Sequence, residues 1–181
     1  MRYNSNMRYW RCAPELREAE RMRNHGGKST AIFAAAAIAW IGVLFFFSGQ
    51  VGEDSSALSG GVTQLLFGWL LDWGMDFDLL HHCVRKAAHF GIFAVEGCLM
   101  GMALLNGLKR RTAVLLTGVG CALLSVLNEL HQMQAAGRVC SVADMAIDFC
   151  GALTGLAAAA AILHAFSAFR RRMAKKYDYD R

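Results

Sequence analysis

The chain has 181 residues, 55% hydrophobic and 18% charged, with 18 glycines and one proline. That length suits one compact unit, and the composition is too apolar for an average soluble domain. The formal charge of +5 would by itself suit nucleic acid. The basic residues, however, flank long apolar runs, the usual topology signal of a membrane protein, and that placement argues against such a partner.

In chain order, residues 1–28 are a polar basic arm with Arg2, Arg8, Arg11, Arg17, Arg21, Arg23 and Lys28. The first apolar run extends from Ala31 to Phe47 without a charge, and Ser29 or Thr30 is placed to cap it. No cleavage pattern of small residues follows it, so it reads as a retained anchor. SGQVGEDSSALSGG, from Ser48 to Gly61, reads as a loop. The next stretch, Val62 to Leu80, is too short and too charged to span. It reads as an interfacial helix with Trp69 and Trp73 at headgroup level, or as a re-entrant segment.

A second span runs from about Ala87 to Leu108 and a third from Thr112 to Asn128. The fourth runs from Val142 to Phe169, with Gly151 and Gly155 giving a small-residue packing face. The expected fold is an all-α integral membrane four-helix bundle. Residues 29–169 form the transmembrane domain, between the arm and a basic tail at 170–181. With four spans, sixteen Lys and Arg fall on the side of the arm, the Lys109–Arg111 turn and the tail, against three on the other. That bias predicts both termini in the cytoplasm.

The six cysteines (Cys12, Cys83, Cys98, Cys121, Cys140, Cys150) contain no Cys-x-x-Cys pair, and several sit in apolar runs, where a thiol packs as a small hydrophobe. A Cys83–Cys140 bridge is allowed only because both fall on the same expected side.

Helical periodicity places His82, Arg85, Lys86, His89, Phe93 and Glu96 in roughly a 100° arc. A second stripe holds Cys121, Ser125, Asn128, Glu129 and Gln132, and a third holds Ser141, Asp144, Asp148, Gly151 and Gly155. The three stripes and the end of the first span, with Ser48 and Gln50, converge at one end of the bundle, the outer one by the charge bias. Each ionisable group costs about 2.5–3.5 kcal/mol if it faces lipid, so the stripes should face one another or a wet cavity. A structural network would satisfy that requirement. The number of costly groups in one layer exceeds what packing needs and favours a functional site.

Lys86, His89 and Arg138 beside Glu129, Asp144 and Asp148 suit an anionic headgroup or a peptide carboxylate, together with acid–base chemistry. GGKST at Gly26–Thr30 is not a phosphate loop, because Met22 holds the required earlier glycine position and no strand precedes it. His89, Glu129, His131 and Asp144 are zinc-ligand types. Glu129 and His131, however, are two apart and point to different helix faces, so neither metal nor cofactor is assigned.

FSGQ at Phe47–Gln50, VRKAAHF at Val84–Phe90 and NELHQMQAAGRVCSVADMAIDFCGALTG at Asn128–Gly155 resemble the VanZ-like membrane proteins. The last block is the specific part: acid-x-x-Gln, Gly-Arg, Ser-x-x-Asp and Gly-x-x-x-Gly at fixed offsets. The matching positions are Arg85, Lys86, His89, Glu129, Gln132, Gly137, Arg138, Ser141, Asp144 and Gly151. The family pattern has an acidic residue and a tyrosine after its His-Phe pair, where this chain has Ile92 and Phe93. Glu96, one turn further on the same face, reads as a displaced carboxylate. The pattern also tends to Asp-Glu where this chain has Asn128–Glu129, and to Asn at Asp148, an exchange that keeps the charge if the two positions touch.

The resemblance implies a small helical protein of bacterial envelopes, from a family whose founding member is associated with teicoplanin resistance. The expected function is binding of an anionic or peptide-bearing envelope component, such as a lipid-linked precursor or a glycopeptide-related ligand, with lowered glycopeptide susceptibility. Arg85, Lys86 and Arg138 would hold anionic groups, Glu129, Asp144 and Asp148 would orient them, and His89 would titrate. Gln132, Ser141 and Glu96 complete the expected binding layer. One alternative is a membrane enzyme acting on a lipid-linked phosphorylated substrate, with His89, Glu129 and Asp144 catalytic. The other is a structural or assembly partner. The expected partners are the lipid bilayer and such an envelope ligand, with no nucleic acid, and the oligomeric state is left open.

Overall fold

The computed structural model describes the backbone of residues 6–50, 52–136 and 138–179, with side chains in 27–50, 55–136 and 138–173. Gly137 of the motif, and the side chains of the basic arm through Gly26 and of the tail beyond Met173, lie outside that set.

The described residues form five helices and no strand: α1 (Asn6–Ser48), α2 (Gly52–Asp72), α3 (Phe77–Gly107), α4 (Arg110–Gln132) and α5 (Val142–Tyr179). Four segments are long and apolar enough to cross a membrane: Gly27–Ser48, Phe77–Gly107, Arg110–Gln132 and Val142–Met173. At about 1.5 Å rise per residue, the 31 residues of α3 exceed a hydrocarbon core of roughly 30 Å. Part of α3 therefore extends beyond the hydrocarbon. Outward-facing Ile32, Ile38, Leu115, Leu123, Ile162 and Phe166 give the bundle an apolar perimeter.

The segment from Ser48 to Gly61 is not a loop; from Gly52 onward it is the first half of α2. Two of its hydroxyls bond back along the helix. Ser59 Oγ donates to the Ser55 carbonyl at 2.8 Å and Thr63 Oγ1 to the Ser59 carbonyl at 2.8 Å. α3 begins ten residues before the expected start of the second span, because the Asp76 carboxylate caps it by accepting the N–H groups of Asp78 and Leu79. Gly74, at φ 91°, turns the chain between α2 and α3 in a conformation that suits glycine.

α3 packs most extensively on α5. A Cβ added at Gly151 would collide with the Phe90 carbonyl, one at Gly155 with the Ala94 carbonyl, and one at Gly97 with the Ala152 carbonyl. Backbone lies on backbone along this crossing. In a bilayer, where burying apolar surface does not drive helices together, such contact is the main source of attraction. α1 joins α3 through Trp40 Nε1, which donates to the Ile92 carbonyl at 2.9 Å. Leu44, Phe93, Cys121 and Ala152 form the apolar core below the polar layer. α2 packs on α3 through Ser59 Oγ and His81 Nε2, 2.6 Å apart, and leaves Leu65, Leu66, Trp69 and Trp73 exposed.

Candidate functional site

The α3–α5 register brings one ion pair and one histidine–carboxylate contact together at one end of the bundle. Lys86 Nζ pairs with Asp144 Oδ1. One turn deeper, His89 Nδ1 lies 3.0 Å from Asp148 Oδ1. Asp148 is fully buried, and its second oxygen lies 3.5 Å from Asn128 Nδ2 of α4. The chain after α4 folds back over this layer. Glu129 Oε2 accepts the Ser141 N–H at 2.8 Å, and Ser141 Oγ accepts the Asp144 N–H at 3.2 Å at the start of α5. Ser48 Oγ donates to the Asn128 carbonyl at 3.3 Å, tying the end of α1 to the end of α4.

Arg138, in the α4–α5 connection, donates from Nη1 to Gln132 Oε1 at 2.7 Å and from Nη2 to Ser55 Oγ of α2. Burial, and then the charge of Arg85, pull its pKa below the ordinary arginine value. Glu129 and Asp144 oppose that shift. Both arginines line the same cavity. Among the described residues Arg85 has no carboxylate partner.

Arg85, His89, Asn128, Gln132 and Arg138 line a cavity of about 240 Å³, whose remaining wall is mostly apolar and includes Leu44, Leu58, Val62, Ile92 and Phe93. The space is a greasy cleft with cations and hydrogen-bonding groups on part of its wall. An amphiphile fits that distribution better than a small polar solute.

The sequence candidates thus divide. Arg85, His89, Gln132 and Arg138 line the cavity, while Lys86, Asp144 and Ser141 are tied up in bonds to neighbours. Glu129 and Asp148 lie buried behind His89. Glu96 stands apart. It is fully buried, and neither of its oxygens has a hydrogen-bond partner among the described residues. His131 packs edge-on against Phe45, with ring centroids 5.3 Å apart. Donor atoms of His89, Glu129 and Asp148 lie within 4.8 Å of one another, so Asp148 stands where sequence reasoning had His131 and Asp144. Cys83 and Cys140 are free thiols.

Sequence reasoning missed Ser55, which was hidden in the presumed loop, and the apolar wall from α1 and α2. No motif marks that wall. Asn128 was visible in its stripe but was not counted among the site residues.

No curated protein and no solved structure matches the chain. The family described as VanZ/LLP1 matches residues 33–164, from α1 into α5, a stretch that contains every candidate residue above. The chain belongs to the VanZ/LLP1 family.

Proposed function

We propose that this chain is a multi-pass protein of a bacterial cell envelope, with both termini in the cytoplasm and the cleft open toward the extracytoplasmic side. There it binds an anionic, lipid-linked or peptide-bearing envelope component and lowers susceptibility to teicoplanin-type glycopeptides. The carrying observation is the cleft itself, in which Arg85 and Arg138 stand beside the apolar Leu44, Leu58, Val62, Ile92 and Phe93. A hydrophobic tail would lie along the apolar wall, and an anionic head would pair with the two guanidiniums. The family match and the four apolar helices support the envelope setting; the sixteen-to-three division of basic residues supports the orientation.

Lys86 takes a smaller part than Arg85, because its ammonium is already paired with Asp144. Arg85→Ala in a teicoplanin-susceptible host should abolish protection at unchanged membrane levels, and Arg85→Lys should retain part of it. Full protection from Arg85→Ala would sink the proposal.

A second reading rests on the 3.0 Å contact of His89 Nδ1 with Asp148 Oδ1. A carboxylate at one ring nitrogen fixes the tautomer and leaves the other nitrogen able to take a proton. His89 also lines the cleft, so the chain would act as a hydrolase or transferase on a phosphorylated lipid-linked substrate. Turnover by purified protein that is lost in His89→Gln distinguishes this reading from binding alone.

A further inference from the structure

Behind the cleft, α3, α4 and α5 each contribute one strong donor side chain to the same point. His89, Glu129 and Asp148 each offer one atom, and these atoms lie within 4.8 Å of one another. Glu129 and Asp148 are fully buried. The bonds around them are unevenly filled. Glu129 Oε2 holds the Ser141 N–H and Asp148 holds both His89 and Asn128, whereas Glu129 Oε1 has no hydrogen-bond donor among the described residues. Oδ1 of neighbouring Asn128 is also buried without a partner.

Charge is unbalanced in the same place. The Asp144 carboxylate is matched by Lys86, and Arg138 spends its hydrogen bonds on Gln132 and Ser55, which are neutral. Of the cationic side chains nearby, none makes a direct ion pair with Glu129 among the described residues, and of these groups Asp148 contacts only the His89 imidazole. Buried charges persist when they are paired or coordinate a metal.

We propose that His89, Glu129 and Asp148 form a binding site for one divalent first-row transition-metal cation of the zinc or manganese class. One imidazole nitrogen and two carboxylate oxygens are a mixed donor set that suits these ions better than a thiolate-selecting or an all-oxygen one. In a tetrahedral site, donors about 2.0–2.2 Å from a common ion stand about 3.3–3.6 Å apart. Donor atoms within 4.8 Å of one another therefore have up to about 1.5 Å to close when an ion binds. Three protein ligands also leave a coordination position for a group entering from the cleft, which His89 lines. The site rests on these three residues alone and does not depend on the amphiphile assigned to the cleft.

The test uses the full chain purified in detergent without a histidine tag, stripped with chelator and reloaded with ZnCl2 or MnCl2. Metal is then counted per chain after desalting. Wild type and His131→Gln should each retain about one ion. Glu129→Gln and Asp148→Asn should bind it at least about 10–100-fold more weakly, the loss typical even of outer-shell changes. Pulsed electron paramagnetic resonance of the Mn²⁺-loaded wild type should detect one imidazole nitrogen, and this readout needs no variant to fold. No retained metal in wild type, equal retention in folded Glu129→Gln and Asp148→Asn, loss in His131→Gln, or no imidazole coupling would each overturn the site. Failure of metal binding would leave the Arg85 susceptibility test unaffected, so the two proposals fail separately.

Discussion

Asn128 and Asp148 touch across the α4–α5 interface, with Nδ2 3.5 Å from Oδ2. The exchange of an acid between these positions, suggested by the VanZ-like pattern, therefore has a physical basis: the two side chains are in contact, so one carboxylate stays in the same buried layer whichever helix carries it. Asn128→Asp alone sets a further carboxylate beside Asp148 and Glu129, and Asp148→Asn alone weakens the acceptor for His89. The double swap should be more stable than the sum of the singles predicts, with a coupling of about 0.5–3 kcal/mol by thermal unfolding in detergent. Strictly additive losses would remove the idea. Glu96 poses the opposite case, since both of its buried oxygens lack a partner. Glu96→Met removes an unsatisfied polar group at similar volume, and the same assay should show stability raised by about 1–3 kcal/mol. A drop would mean that the carboxylate has a partner outside the described residues.

At the level of elements, the α3–α5 crossing sets the register on which the Lys86–Asp144 ion pair and the His89–Asp148 contact depend. A Cβ at Gly155 would meet the Ala94 carbonyl and the Cys98 N, which are backbone atoms and cannot step aside. Gly155→Ala should therefore cost about 1–3 kcal/mol or more. Gly118→Ala, where nothing lies within 4 Å, should be neutral or gain up to about 1 kcal/mol from helix propensity. Equal effects at the two glycines, measured by thermal unfolding, would argue against the close crossing. The four long apolar helices were readable in the sequence because a membrane forces apolar residues into uninterrupted runs and leaves charges at their ends. The helical start of α2 was not. Ser55, Ser59, Gly60 and Gly61 carry the composition of a loop, and their helical form comes with tertiary contacts, Ser59 to His81 of α3 and Ser55 to Arg138, that no local pattern announces. The stripes followed from periodicity. Which residue of one stripe meets which of another did not, because that depends on glycine contacts whose depth has no one-dimensional signature. Hence the pairing of Asp144 with Lys86, and of Asp148 with His89, emerges only in three dimensions.

For the whole molecule, membership of the VanZ/LLP1 family and four apolar helices fit a bundle whose polar layer opens at one end. The proposed orientation predicts that exposed Cys83, at the cleft end, is labelled in intact cells by a membrane-impermeant thiol reagent. A cysteine introduced at Lys109, in the opposite turn, should react only after permeabilisation. The reverse pattern would invert the topology and move the cleft to the cytoplasm. The central claim, that the cleft holds an anionic amphiphile against Arg85 and Arg138, is tested most directly by native mass spectrometry of gently purified protein. Wild type should carry an anionic lipid-linked species in near-stoichiometric amount, and the Arg85→Ala, Arg138→Ala double variant should lose most of it. A wild type without such a species, or equal occupancy in the double variant, would contradict the account.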